Sequence, residues 1–302
     1  MLILDKVVVL MSTYNGEKYL RTQLDSILAQ KNVEVEILVR DDGSNDSTTK
    51  ILDEYQEKGL LTWYTGENLK PARSFMNLIK NAPSAEYYAF SDQDDYWLEN
   101  KLFSAIQKLK VKYSPCLYYC NALLVDENMN ILGKNKLPSI PSIYTGLSYG
   151  KAALGCSMVF NKELMKILQA KIPESLIMHD AWVTNVCQII SGDIIRDDRT
   201  LFYYRQHTDN QIGGKRDFFS IIKRKINFIR KNKNIYLRHW QELYSLYYQN
   251  MDYKTRDTLN TLIHYNDSFK NRFHIICNKK VLNENNLVRN FYYKIMFAMG
   301  LF

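Results

Sequence analysis

The first apolar run, Val7–Met11, is short, β-branched and unbroken, the pattern of a strand buried on both faces. Polar, turn-forming residues follow over Ser12–Gly16. Tyr19, Leu20, Leu24, Ile27 and Leu28 then recur at helical spacing. Val35–Val39 repeats the strand signal and ends in Arg40-Asp41-Asp42-Gly43-Ser44. The segment Ser44–Ser47 supplies N-cap residues for a helix over 47–58. Leu61–Tyr64 predicts a third strand. Pro71 marks the first turn of a helix whose apolar face is Phe75, Leu78 and Ile79. Tyr87–Phe90 predicts a fourth strand, running into Ser91-Asp92-Gln93-Asp94-Asp95, and a helix over Trp97–Leu109 comes next.

Strand–helix alternation with short connections predicts an α/β fold, a mostly parallel sheet flanked by helices. In such sheets ligands bind beyond the carboxyl ends of the strands. Two of the strands end there in paired aspartates, which marks that edge as the expected site. Beyond residue 115 the pattern is mixed. Leu117–Tyr119, Ala122–Val125, Gly155–Phe160 and Arg199–Arg205 read as strands, Lys162–Ala170 and Asp180–Ile190 as helices, and 133–150 as a loop. From about residue 215 the chain reads as helical and basic.

Composition narrows this picture. A hydrophobic share of 46% over 302 residues supports a sizeable core and excludes disorder. No stretch of about 18 uncharged apolar residues occurs, so no transmembrane helix is expected. The opening MLILDKVVVLM carries charge inside its apolar run and reads as a strand, not a signal peptide. Five cysteines without a CxxC pair argue against a disulfide framework or a zinc site and read as packing residues of a reducing, cytoplasmic protein. The net charge of +8 is uneven. Residues 1–214 hold 23 Lys and Arg against 26 Asp and Glu, whereas residues 215–302 hold 17 against 6.

Five polar clusters are candidates for chemistry. The carboxylates of Asp92, Asp94 and Asp95 repel one another unless a divalent cation such as Mn²⁺ or Mg²⁺ neutralises them; the alternative is a solvated acidic turn before a helix. Asp41-Asp42-Gly43-Ser44 is either part of the same site or a turn leading to a capped helix. Ser12–Gly16 either receives a nucleobase, with Tyr14 stacking on it, or simply turns the chain. Asp180, opening an apolar helix, is either a cap or a general base. In Tyr204-Arg205-Gln206-His207, Arg205 either binds phosphate and His207 a metal, or both are ordinary surface residues.

In this order and spacing the segments MSTYNGEKYL, LVRDDGSNDST, FSDQDDYW, LGCSMVFN, MHDAWV and YRQH resemble glycosyltransferase family 2 of the GT-A fold, and within it the bacterial rhamnosyltransferase-like members. The resemblance covers about residues 5–210. It implies a catalytic domain over 1–214, with a nucleotide-binding half to about 115 and an acceptor half over 116–214. It also implies roles for individual residues. Thr13, Tyr14 and Asp41 would hold a pyrimidine base, with Asn15, Glu17 and Asp42 in the same nucleotide-sugar-binding set. Asp92 would lie near the ribose and Asp94 on the metal, with Asp95 sharing or exchanging that role and His207 completing the site. Arg205 would assist the diphosphate. Asp180 would be the catalytic base. Gly155, Cys156 and Ser157, with His179 and Trp182, would border the donor sugar or acceptor.

Two departures matter. His179 stands where the family usually has an acid, and the QxxRW motif of processive synthases is absent, which implies one sugar per catalytic event. The implied reaction is inverting transfer from a nucleoside-diphosphate sugar, dTDP-rhamnose first and UDP-hexoses or UDP-N-acetylhexosamines as alternatives, to a saccharide acceptor of lipid-linked type in cell-surface polysaccharide or capsule synthesis. A sugar nucleotidyltransferase would open with a glycine-rich basic loop, which Ser12–Lys18 is not. A non-catalytic scaffold would leave five polar clusters in register unexplained.

Residues 215–240 hold nine Lys and Arg against one acid, Asp217, interleaved with Phe218, Phe219, Ile221, Ile222, Ile226, Phe228 and Ile229. A basic amphipathic helix of this kind reads as a contact with the inner face of a membrane, with Phe291–Phe302 a second one. The alternative is a helical region packed on the catalytic domain or on a second copy in a homodimer. Nucleic-acid binding is not expected, because no recognised motif accompanies the charge.

Overall fold

A computed structural model describes residues 4–135, 137, 153–206, 234–278 and 287–301. His207, most of the 133–150 loop and the basic stretch 215–233 lie outside the described residues.

Strand β1 (Lys6–Thr13) sends Val7, Val9 and Met11 into one buried cluster and Val8 and Leu10 into another, so its unbroken apolar run reflects burial on both faces. Helix α1 (Leu20–Leu28), β2 (Glu34–Asp41), α2 (Thr48–Glu57), β3 (Thr62–Thr65), α3 (Lys70–Asn81) and β4 (Tyr87–Ser91) follow in the expected alternation. Pro71 sits in the first turn of α3, and Phe75, Met76, Leu78 and Ile79 are its buried face. β1 pairs in parallel with β2 and β4, and β2 with β3. The register sets Thr13 opposite Asp41 and Met11 opposite Ser91. The carboxyl ends of β1, β2 and β4 therefore finish level, and the three polar loops that follow them share one edge.

The second half of the sheet is mixed. It contains the short β5 (Tyr96–Trp97), then, after α4 (Lys101–Leu109), β6 (Cys116–Val125), β7 (Ile131–Lys134), β8 (Met158–Asn161) and, beyond α5 (Lys162–Ala170) and α6 (His179–Ile189), β9 (Asp193–Arg205). The order across the sheet is β3-β2-β1-β4-β8-β6-β9-β5, with β7 beside β6. β8 is antiparallel to β4 and β6, β5 to β9 and β7 to β6, while β6 and β9 are parallel. Pairing is all parallel among the first four strands and only between β6 and β9 thereafter, so the sheet is half parallel and not mostly so.

Four elements differ from the sequence expectation. Leu117–Tyr119 and Ala122–Val125 are one strand, broken in pattern only by Asn121, where the register with β9 shifts and the Asn121 side chain accepts the Ala122 N–H at 2.9 Å. β9 begins at Asp193, six residues earlier than expected, because its charged opening hides the strand signal. Gly155–Ser157 is a 3₁₀ turn, and the strand begins at Met158. Trp97 is a strand residue against Phe202, and α4 starts only at Lys101.

The C-terminal helices α7 (Ile235–Tyr247), α8 (Tyr253–Ile263), α9 (Phe269–Cys277) and α10 (Leu287–Ala298) extend one of the two cores. Trp240 stacks on Phe297 with ring centroids 6.4 Å apart and meets Tyr265 edge-on. His239 accepts the Ile177 N–H on Nδ1 (3.3 Å), so its Nε2 carries the proton and donates to Asn185 Oδ1 (3.0 Å). Trp182 of α6 packs against His239 and Tyr247 in the same layer.

Candidate active site

The loops after β1 and β2 are laced together. Asp41 is fully buried and accepts Thr13 Oγ1 at 2.9 Å, the backbone N–H groups of Gly43 (3.0 Å) and Ser44 (2.8 Å), and Ser44 Oγ at 2.5 Å. Asn15, at φ 48°, donates its N–H to Ser44 Oγ and accepts the Asn45 N–H on its Oδ1. Glu17 accepts the Ser47 N–H at 2.8 Å at the head of α2. Asp42 is buried against Arg40, whose other nitrogen reaches the Glu67 carbonyl at 2.9 Å. Thr13, Asn15, Glu17, Asp41 and Asp42 thus build the walls of this edge, and Tyr14, 45% exposed, is the ring left open above it.

The loop after β4 is tied in by Gln93, which accepts the Tyr14 N–H at 2.9 Å and donates to the Tyr14 carbonyl at 3.1 Å. Behind it lies an acidic group in which Asp95 is buried and Asp92 partly so. Ligand atoms of Asp92, Asp95 and Cys156 all fall within 4.8 Å of one another. Burial, then the neighbouring Asp94, pushes the Asp92 carboxyl up to about 7, and the charge of Asp180 adds to it. Asp95, fully buried, is raised well above the usual carboxylate range by burial and by Asp94 and Asp92. Its Oδ2 has no hydrogen-bond partner. Burial, with Asp95 and Asp92 beside it, raises the Cys156 thiol well above its ordinary value. An orphaned carboxylate oxygen beside a second carboxylate fits a hard divalent cation; the cluster offers Asp95, as expected, together with Asp92, expected near the ribose, while Asp94, expected on the metal, lies outside it.

Asp180 opens α6, bonded to the Ala181 N–H at 2.6 Å. Burial raises its carboxyl to about 6. Its charge contributes to the raised Asp92 carboxyl. Beside it, His179 is buried, stacked on Phe75 at 3.9 Å and edge-on to Phe90, and burial lowers its imidazole to about 3. Gly155 lies against the His179 ring, where a Cβ would collide with Nε2.

Three expected contacts take another form. Trp182 is wholly buried in the core beneath α7, which removes it from any acceptor surface. The guanidinium of Arg205 is buried and engaged, donating to the carbonyls of Asp94 (2.9 Å) and Glu127 (2.8 Å) and lying over the Tyr19 ring at 4.5 Å. It braces the acidic loop from behind. Ser157 turns its hydroxyl into its own 3₁₀ turn, onto the Leu154 carbonyl at 2.7 Å. The sequence reading missed Gln93 and Lys101. Lys101 is fully buried with its ammonium over the Trp97 ring at 3.2 Å, without a hydrogen-bond partner, and burial lowers it to about 8. A lysine at the head of an apolar helix gives no sign of this.

Comparison with known proteins agrees with this architecture. The sequence profile "Glycosyl transferase family 2" matches residues 8–126. The chain is 29% identical over 235 residues to the dTDP-rhamnosyl transferase RfbG of Shigella flexneri, covering 71% of this chain and 77% of that protein. It is 29% identical over 152 residues to WfgD of Escherichia coli, a UDP-Glc:alpha-D-GlcNAc-diphosphoundecaprenol beta-1,3-glucosyltransferase, covering 50% of this chain and 56% of that one. Among solved structures, TarS 1–349 of S. aureus in complex with UDP-GlcNAc superposes with a TM-score of 0.55 at 17% identity, covering 98% of this chain and 90% of that one.

Proposed function

The chain is a family 2 glycosyltransferase of the GT-A fold, and from that premise we propose inverting transfer of a single sugar, L-rhamnose from dTDP-rhamnose in the first instance, to a lipid-linked saccharide acceptor in cell-surface polysaccharide synthesis. The observation that carries this reading is the cluster of Asp92, Asp95 and Cys156 in the loop after β4 and the turn before β8, with His179, the neighbour of Asp180, packed against Gly155, the neighbour of Cys156. The rhamnosyl donor is favoured by likeness to RfbG, and the lipid-linked acceptor by likeness to WfgD.

The donor base lies under Tyr14, on the platform that Thr13 and Asp41 lock in place. Asp180 takes the proton of the acceptor hydroxyl while that oxygen attacks the anomeric carbon. Attack from the face opposite the diphosphate inverts the configuration. Burial makes Asp180 a stronger base than a free aspartate yet leaves it ionised at neutral pH, the compromise general-base catalysis favours. A divalent cation held by Asp92 and Asp95 would supply neutralisation of charge on the departing diphosphate. Arg205 and Gln93 keep the acidic loop in register with Tyr14, so proton acceptor and leaving group stay on opposite sides of the sugar.

The test is a donor screen with the purified full chain, Mn²⁺ and a diphospholipid-linked saccharide, scored by nucleoside diphosphate release and by the anomeric configuration of the product. Preferred turnover of dTDP-rhamnose with inversion supports the full reading. Turnover of a UDP-sugar alone would replace the donor. Absence of turnover with every nucleotide sugar would overturn the proposal.

A further inference from the structure

The C-terminal helices bury one side of themselves and leave another bare. α9 buries Ile275 but exposes Phe269 (81%), Phe273 (59%) and Cys277, four residues apart and therefore on one stripe. α10 buries Tyr293, Met296 and Phe297 and exposes Phe291 (67%) and Ile295, and Met299, one residue past its end, continues the same spacing. The two helices are joined through Arg272, which donates to the Ala298 carbonyl at 3.3 Å. A lone exposed apolar residue is ordinary, whereas stripes of large apolar side chains on adjoining helices mark a docking surface.

Charge decides the partner. Neither α9 nor α10 contains an Asp or Glu, and both expose lysine, Lys270 and Lys294. We propose that Phe269 and Phe273 of α9, with Phe291 and Ile295 of α10 and Met299 just beyond it, dock this protein onto an anionic lipid bilayer. The helices have 9 and 12 residues, short of the roughly 20 needed to span a bilayer, so they lie along the interface with aromatic rings in the acyl boundary and lysines at the headgroups. A second copy of the chain would set Lys270 and Lys294 against the same acid-free helices, with no opposite charge to answer them. The inference goes beyond the transfer reaction. Its failure would leave Asp180-dependent transfer to a soluble acceptor untouched.

Cys277 supplies the probe, since it is the exposed cysteine on the stripe and the other four are buried. The full chain, labelled there with an environment-sensitive fluorophore, is mixed with phosphatidylglycerol vesicles and with pure phosphatidylcholine vesicles. The expected result is a blue shift with co-sedimentation on phosphatidylglycerol and little of either on phosphatidylcholine. The triple variant Phe269→Ser, Phe273→Ser, Phe291→Ser should bind about tenfold more weakly or worse while keeping its circular dichroism and its transfer to a soluble acceptor. The variant Lys270→Glu, Lys294→Glu, with the apolar stripes intact, should lose the preference for phosphatidylglycerol. Wild-type protein left in the supernatant would overturn the proposal, as would binding that the triple variant leaves unchanged. A wild-type dimer in light scattering that the triple variant dissociates, without vesicle binding, would assign the face to a second copy instead.

Discussion

Gln93 grips Tyr14 from both sides, its carbonyl oxygen taking the Tyr14 N–H at 2.9 Å and its amide nitrogen donating to the Tyr14 carbonyl at 3.1 Å. The residues are 79 apart, and this pair ties the loop expected to carry the nucleobase to the loop that carries the acids. It also explains Gly16, since a Cβ there would collide with the Gln93 amide. Gln93→Ala should let the two loops drift, raising the donor KM about tenfold with kcat changed much less, because it removes positioning made equally in ground and transition states. Gln93→Glu keeps the acceptor and loses the donor, and should fall between. Steady-state kinetics at varied donor concentration distinguishes this split from a uniform loss of folded protein.

Asp180 gives a sharper test. Asparagine preserves size and the bond to the Ala181 N–H but takes no proton, so Asp180→Asn should keep donor binding and lose about 10²–10⁴-fold in transfer. In the wild type the base must be ionised, and burial places its carboxyl at about 6. The value of kcat/KM should therefore fall below about pH 6 and level off above it. A flat profile from pH 5 to 8, or wild-type turnover by the variant, would take Asp180 out of that role.

The buried acids also set a dependence of stability on pH. The Asp92 carboxyl sits at about 7 in the folded chain against 3.8 ordinarily, and Asp95 is raised as well. The folded state therefore holds protons that the unfolded chain has released, and the stability this brings is lost as pH rises through 7. His179 and His239, both lowered to about 3, act in the opposite sense, but only below their ordinary 6.5. Between pH 6.5 and 8 the acids dominate, so without metal Tm should fall across that interval. A cation at Asp92 and Asp95 needs both ionised, so the rise in Tm on adding Mn²⁺ should be larger at pH 8 than at pH 6.5. Thermal scans with and without Mn²⁺ check this, and the absence of any Mn²⁺ effect would remove these two side chains as ligands.

How much of this was legible beforehand follows from where the information lies. Short apolar runs announced β1, β2 and β4, two of them leading into paired aspartates, and parallel pairing then puts the three loops on one edge, so that shared edge followed from local pattern. The second half was harder because its signals conflict. Asn121 breaks the apolar pattern of a continuous strand, and six residues rich in charge open β9. Individual roles were hidden wherever the partner is distant in sequence. Arg205 looks like a phosphate ligand until Asp94 and Glu127, on other elements, take its nitrogens. Trp182 follows Asp180 by two residues, yet helical geometry turns it into the core beside His239.

The last prediction concerns Gly155 and His179. Gly155 has an ordinary backbone conformation, so its missing side chain answers to space alone: the His179 imidazole occupies the place a Cβ would take. The ring in turn is stacked on Phe75 and meets Phe90 edge-on, so moving it away gives up both contacts. Gly155→Ala should therefore destabilise the fold by about 1–3 kcal/mol through overpacking. His179→Ala alone should also cost stability, through the cavity it leaves against Phe75. Combined, the new methyl enters part of the vacated volume, and the double variant should be more stable than the sum of the single losses implies, with a coupling of about 0.5–3 kcal/mol. Denaturant melts of the four proteins complete the cycle. Strict additivity would mean that Gly155 and His179 do not share this space, and the packing that seats Asp180 at the head of its helix would need another explanation.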